Sequence, residues 1–250
     1  MPHTGTRYYL RGTLPNTPLA VSIISALLGG VVFTSLALAL SSVWRSLGSV
    51  HWTWARPQLG FYLAFMGVFH LMEFFTTAGW NASRLSVDAF LLNNTRQYHL
   101  AHAVGLLEYF ISSWLFPSKF NTPFASLPFL GIVTLVLVAA QTLRSLAMIH
   151  ASASFAHIVQ TKKHDDHVLI TSGVYAYVRH PSYCAFFYWA VATQILLGNV
   201  VSTLAFVVVL RRFFGSRIEG EEKHLVSFFG DEYVQYRQRV PTGVPFVYGY

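Results

Sequence analysis

The sequence predicts an all-α integral membrane protein with about six transmembrane helices, the last two paired as a hairpin. Three observations lead there: a composition too apolar for a surface in water, a series of long runs almost free of charge, and basic residues denser in alternate connections. Of the 250 residues, 54% are hydrophobic and only 11% charged. A soluble domain carries about 25% charged residues, so this chain lacks the polar side chains to cover itself in water.

A spanning helix needs about 20 mostly apolar residues. Residues 19–40 supply the first without a single charge. They lack the short apolar core and cleavage site of a signal peptide, so the span is retained. Residues 59–79, 98–116 and 124–149 supply the next three. The stretch 183–214 is broken only by Gly198-Asn199, and each half is short. It predicts a helical hairpin that turns inside or near the far interface.

Six spans leave both termini on one side of the membrane. To that side fall Arg7, Arg11, Arg84, Arg96, Lys162, Lys163, Arg179, Arg211, Arg212, Arg217, Lys223, Arg237 and Arg239. Opposite lie only Arg45, Arg56 and Lys119. The excess of Lys and Arg marks the cytosolic face, which makes both termini cytosolic. The net charge of +7 is thus spread over juxtamembrane loops rather than gathered on one face, and no nucleic-acid partner is expected. The lone Cys184 excludes an intramolecular disulfide and any CxxC metal site.

The chain reads as a single domain over 1–250, with a four-span core at 19–149 and a motif-rich region at 150–250. Polar sequence concentrates in two stretches of that region. The first includes Gln160, the charged loop 162–167, then Val168, Leu169, Ile170, Gly173, Tyr175 and the run Arg179-His180-Pro181-Ser182-Tyr183. Pro181 suits the first position of a helix, where its missing N–H costs nothing. The residues before it are then presented at a helix N-terminus at the membrane surface. The second stretch runs from Arg211-Arg212 through Arg217, Glu219, Glu221 and Glu222 to Arg239-Val240-Pro241. It interleaves charge with Leu225, Val226, Phe228 and Phe229 as an interfacial helical region, broken at Gly230.

The runs HVLITSGVYAYVRHPSY and RRFFGSRIEGEEKHL…FFGDEYVQYRQRVPTGVPF resemble the isoprenylcysteine carboxyl methyltransferase family of the endoplasmic reticulum. FHLMEFFTTAGWN upstream is similar to that family's membrane core, and the likeness extends from about His70 onward. Shorter versions of the RHPSY block occur in phospholipid methyltransferases and membrane sterol reductases, which are the neighbouring alternatives. A small transporter or scaffold is the non-enzymatic one, but a transporter would place broken helices near the bilayer midplane.

The resemblance implies methyl transfer from S-adenosylmethionine to the C-terminal α-carboxylate of farnesylated or geranylgeranylated cysteine in CaaX-processed proteins such as small GTPases. It implies cofactor contacts at Gln160, His167, Val168, Leu169, Ile170, Tyr175, His180, Pro181, Ser182, Tyr183 and Glu221, with the substrate carboxylate near Arg217. The chemistry suits those residues. An α-carboxylate of pKa about 3.3–3.7 is already ionised, so no general base is needed. Catalysis reduces to alignment and exclusion of water. Arg217 offers a planar fork of donors for a carboxylate, and Glu221, four residues on, shares its helix face. Glu221 is then placed to meet the cofactor's ammonium group, while Val168 to Ile170 and Tyr175 form an adenine slot. No metal is implied. His70, Glu73, His99, His102 and Glu108 within the spans are expected to make interhelical hydrogen bonds, and Arg144 to pair with Glu73 or line the site.

Overall fold

The structure, a computed structural model, describes residues 14–44, 54–162 and 168–249. Among these residues seven α-helices follow one another: α1 Pro18–Trp44, α2 Pro57–Trp80, α3 Arg96–Leu115, α4 Leu127–Ala151, α5 Pro181–Leu197, α6 Val200–Phe229 and α7 Asp231–Arg239. Short 3-10 turns join several of them, and no strand occurs among the described residues. Proline stands in the first turn of α2, α4 and α5, where its fixed φ favours the helix. The Thr95 hydroxyl accepts from the Tyr98 amide to cap α3.

Helix α1 packs along α2, and α4 along α5. At the first contact, a Cβ on Gly60 would lie 2.5 Å from the Ser35 carbonyl oxygen. The two backbones therefore touch, as small residues allow in membrane helices. Gly29 and Gly30 of α1 face open space instead. The main core gathers Tyr62 and Phe69 from α2, Tyr109 from α3, Leu137 from α4, Trp189 and Leu196 from α5 and Phe206 from α6.

Among the described residues, three helices are long and apolar enough to cross a membrane: Pro18–Leu40, Pro57–Trp80 and Leu127–Ser154. The other expected spans differ for physical reasons. Helix α3 carries His99, His102 and Glu108 within its length. The 17 residues of α5 rise about 25 Å at 1.5 Å each, less than a hydrocarbon core of about 30 Å. The hairpin does turn at Gly198, which adopts φ 65°. Its second helix does not stop near Phe214, however. Helix α6 runs unbroken for 30 residues, about 45 Å, and the segment expected to form its own interfacial helix is the far end of this rod. It breaks at Gly230, φ 56°.

The start of α6 is held by another helix. Both carboxylate oxygens of Glu108 on α3 accept from its first turn, at 2.9 Å from the Val201 amide and 2.7 Å from that of Ser202. These donors have no partner within their own helix, and negative charge is favourable there.

Candidate active site

One cavity of about 680 Å³ runs through the fold, well inside the range of about 300–1,000 Å³ for small-molecule sites. Its polar end is lined by Arg144, Arg179, His180, Ser182, Tyr183, Arg217 and Glu221. Its apolar end is lined by Phe69, Phe186, Ala190, Phe206 and Leu210. Val209 and Phe213 of α6 line it while 60% and 48% exposed, so the cavity opens sideways through the exposed, apolar flank of α6.

Of the residues singled out in the sequence, Val168, Leu169, Ile170, Tyr175, His180, Pro181, Ser182, Tyr183, Arg217 and Glu221 all line this cavity. Gln160 does not stand among them. It lines a small recess beside the cavity with Thr77, Asn81 and Arg84, and its side-chain amide turns back to donate to the Ile158 carbonyl at 3.0 Å. His157 borders both spaces. His167 lies outside the described residues, as do its neighbours 163–166.

Arg217 and Glu221 occupy one face of α6 but meet through a third residue rather than directly. The Tyr183 hydroxyl accepts from Arg217 Nε at 2.9 Å and donates to Glu221 at 2.5 Å. Arg217 also donates to the His157 carbonyl at 2.5 Å, and its guanidinium lies over the Tyr183 ring. Burial pushes the His157 imidazole down to about 4, against the pull of Glu73, so the ring is neutral at neutral pH.

A second ionic centre lies behind the first, and sequence reasoning missed it. Glu222, fully buried, accepts from Arg179 Nε at 2.6 Å and from His180 Nε2 at 2.9 Å. Burial opposes its ionisation, yet the His180 and Arg179 hydrogen bonds outweigh that and hold the carboxyl at about 2 rather than 4.5. Arg179 is no surface anchor. It also donates to the carbonyls of Val240 and Tyr248, each at 2.6 Å, and so ties the 150–183 segment to the chain after α7. The signal was available: Phe214, Ile218 and Glu222 recur every fourth residue as a buried stripe, and apolar partners at that spacing place Glu222 inward.

The wall opposite Val168–Ile170 comes from the second segment. Leu169, Leu225 and Phe229 pack against Tyr233, Tyr236 and Val240, and the Tyr236 hydroxyl donates to the Tyr175 carbonyl at 2.6 Å. Burial raises the phenols of Tyr175, Tyr233 and Tyr236, which keeps all three neutral. Gly173 sets the entry to this wall. It adopts φ 61°, and a Cβ there would fall 2.4 Å from His150 Nδ1, the atom that accepts from the Val174 amide at 3.1 Å. Only glycine tolerates both the conformation and the approach.

Below the polar end, Arg144 donates to both Glu73 oxygens, at 2.5 and 3.0 Å, and to the Ser182 hydroxyl at 2.8 Å. It thus pairs with Glu73 and also lines the cavity. Of the histidines in the spans, His70 and His102 are likewise engaged between helices and turns, whereas His99 is exposed. His70 Nδ1 donates to the Phe90 carbonyl at 2.7 Å, and the Tyr62 hydroxyl lies 3.0 Å from His102 Nδ1.

Comparison with known proteins agrees with this geometry. The family model described as the isoprenylcysteine carboxyl methyltransferase (ICMT) family matches residues 132–227. The protein-S-isoprenylcysteine O-methyltransferase of Schizosaccharomyces pombe is 46% identical over 235 residues, covering 87% of this chain and 99% of that one. The human protein of the same name is 40% identical over 192 residues, 77% of this chain and 66% of its own. Among solved structures, the eukaryotic intramembrane Ras methyltransferase, isoprenylcysteine carboxyl methyltransferase without a monobody, superposes with a TM-score of 0.82 at 37% identity. That match covers 92% of this chain and 77% of the other. A cavity with an apolar and a polar end, and a relative that is 46% identical and covered over 99% of its length, lead to one conclusion: the chain belongs to the isoprenylcysteine carboxyl methyltransferase family.

Proposed function

We propose that this protein methylates the C-terminal α-carboxylate of farnesylated or geranylgeranylated cysteine in CaaX-processed proteins such as small GTPases, with S-adenosylmethionine as donor. The observation that carries the reading is the single cavity with two characters. Its apolar end and side opening suit a prenyl tail delivered from lipid. Its polar end offers donors for a carboxylate. Drawing such a tail through water instead would forgo about 0.8 kcal/mol per buried CH₂.

The donor set suits the cofactor. Glu221 offers a carboxylate for its ammonium, and Val168, Leu169, Ile170 and Tyr175, facing Tyr233 and Tyr236, offer an aromatic and backbone slot for adenine. His180, Pro181, Ser182 and Tyr183 lie at the start of α5 beside that slot. Gln160, which faces the recess beside the cavity, and His167, outside the described residues, belong to the proposed set on the family resemblance alone. When bound, S-adenosylmethionine supplies a methyl group activated by a sulfonium centre. Arg217 holds the substrate carboxylate, already ionised, in one orientation; Tyr183 fixes the Arg217 fork relative to Glu221; and the apolar walls exclude water. No residue needs to move a proton. Nothing in the site calls for the nicotinamide chemistry of a sterol reductase, and a tunnel that ends at an arginine favours an acid acceptor over a phospholipid amine.

The same reading makes the chain one domain, 1–250, with a membrane core at 19–149 and a catalytic region at 150–250. It gives six spans in the endoplasmic reticulum membrane, counting α3 and the α5–α6 hairpin, with both termini cytosolic. The test is methyl transfer in membranes to an S-farnesyl cysteine derivative. Arg217→Ala removes two charged hydrogen bonds, about 3 kcal/mol, and is expected to lower kcat/KM on the order of a hundredfold. Glu221→Gln is expected chiefly to raise KM for the methyl donor. An Arg217→Ala enzyme that turns over like the wild type overturns the assignment.

A further inference from the structure

The cavity has a floor that the chemistry at its polar end does not account for. Three helices give it one residue each: His102 from α3, Ala190 from α5 and Phe206 from α6. The His102 and Phe206 rings meet edge to face with centroids 5.9 Å apart, and the Tyr62 hydroxyl fixes the imidazole from behind.

One turn further along the same three helices stand Gly105, Gln194 and Ser202, all buried. They are knitted into a polar layer. The Asn199 side-chain amide donates to the Gly105 carbonyl at 2.7 Å and to Gln194 Oε1 at 3.0 Å. Gln194 Nε2 donates to the Thr193 hydroxyl at 3.2 Å, and the Ser202 amide donates to Glu108. Gln194 sits so close under α3 that a Cβ on Gly105 would fall 2.4 Å from its Oε1. A hydrocarbon chain can push apolar side chains between rotamers. It cannot displace these groups without leaving buried donors and acceptors unpaired.

We propose that this floor, sealed by the Gln194–Asn199–Gly105 layer, is a ruler that sets the longest prenyl chain the enzyme accepts, with Ala190 and Phe206 as the length-determining side chains. The inference rests on the prenylcysteine reading above. The span to be filled is fixed by α6. From Arg217 to Phe206 is eleven residues, about 16 Å at 1.5 Å each, with the carboxylate clamp at one end and the floor at the other. Ala190 keeps the last part of that length open, and a larger side chain there would close it.

The experiment compares S-geranyl, S-farnesyl and S-geranylgeranyl N-acetylcysteine as methyl acceptors for the full-length enzyme in membranes, with Ala190→Leu and Phe206→Ala beside the wild type. Binding of labelled S-adenosylmethionine, far from the floor, checks folding of each variant. Ala190→Leu is expected to lower the geranylgeranyl-to-farnesyl ratio of kcat/KM by about tenfold or more, the discrimination that small volume changes in an apolar pocket confer. Phe206→Ala is expected to raise it. Should Ala190→Leu fail to bind cofactor, the rise in Phe206→Ala alone carries the test. An unchanged ratio in the folded variants overturns the ruler and means that excess chain leaves through the side opening. A wild-type enzyme that methylates none of the three acceptors overturns the prenylcysteine reading itself.

Discussion

Glu222→Gln isolates the hidden ionic centre, because it keeps the shape of the side chain and removes its charge. In the wild type Glu222 is fully buried and carries Arg179 and His180. The substitution leaves the Arg179 guanidinium, itself only 8% exposed, without a compensating charge, a change that costs about 3–5 kcal/mol in buried pairs. The titration gives a similar magnitude. A carboxyl moved from 4.5 to about 2 corresponds to about 3 kcal/mol at 1.36 kcal/mol per unit. Because the folded value lies below the unfolded one, this stability is complete above pH 4.5 and is lost as pH falls toward about 2. Thermal unfolding in detergent at neutral pH should therefore show the variant about 6–12 °C below the wild type, at about 2–4 °C per kcal/mol, with the gap closing as pH falls below 4.5. Equal melting temperatures at pH 7, or a gap that persists at the lowest pH, would refute the ionic account of Glu222.

Two further outcomes follow from contacts elsewhere. Gly173→Ala must place a Cβ 2.4 Å from His150 Nδ1 at φ 61°, a conformation that costs about 1–2 kcal/mol for a non-glycine residue; titration with labelled S-adenosylmethionine should show weakened binding, while the apolar tunnel stays intact. Glu108→Ala strips the α6 start of two charge-assisted hydrogen bonds, and the loss of a helix cap of this kind, about 1–2 kcal/mol, should appear as faster hydrogen exchange at Val201 and Ser202 with little change at α7.

Helix identity was legible because apolar run length speaks for itself, and Gly198 and Gly230 are turn residues by chemistry. The candidate site was legible largely through its motifs, since most of the polar, motif-rich sequence lies in the two stretches that gather the proposed ligands. Less legible were features that depend on helix phase and on neighbours. Arg217 and Glu221 share a face at four residues, and the eye stops there. Glu222, one residue further, is rotated by about 100° into the interior, and only the buried pattern of Phe214 and Ile218 reveals it. Arg179 reads equally well as a positive anchor or as part of the site until its partners, forty and more residues away, are known. Gln160 sits in a loop whose path no periodicity fixes. The continuity of α6 was hidden by its change from apolar to charged residues at Arg211-Arg212, which is not a helix end.

That continuity makes the enzyme a jig. The proposed floor residue Phe206, the proposed clamp Arg217 and the buried Glu222 are machined onto one rod whose pitch allows no slack. A single inserted or deleted residue between them would turn one end against the other by about 100° and shift it by about 1.5 Å. Loops elsewhere in the chain can drift in length, but this helix has to keep its count.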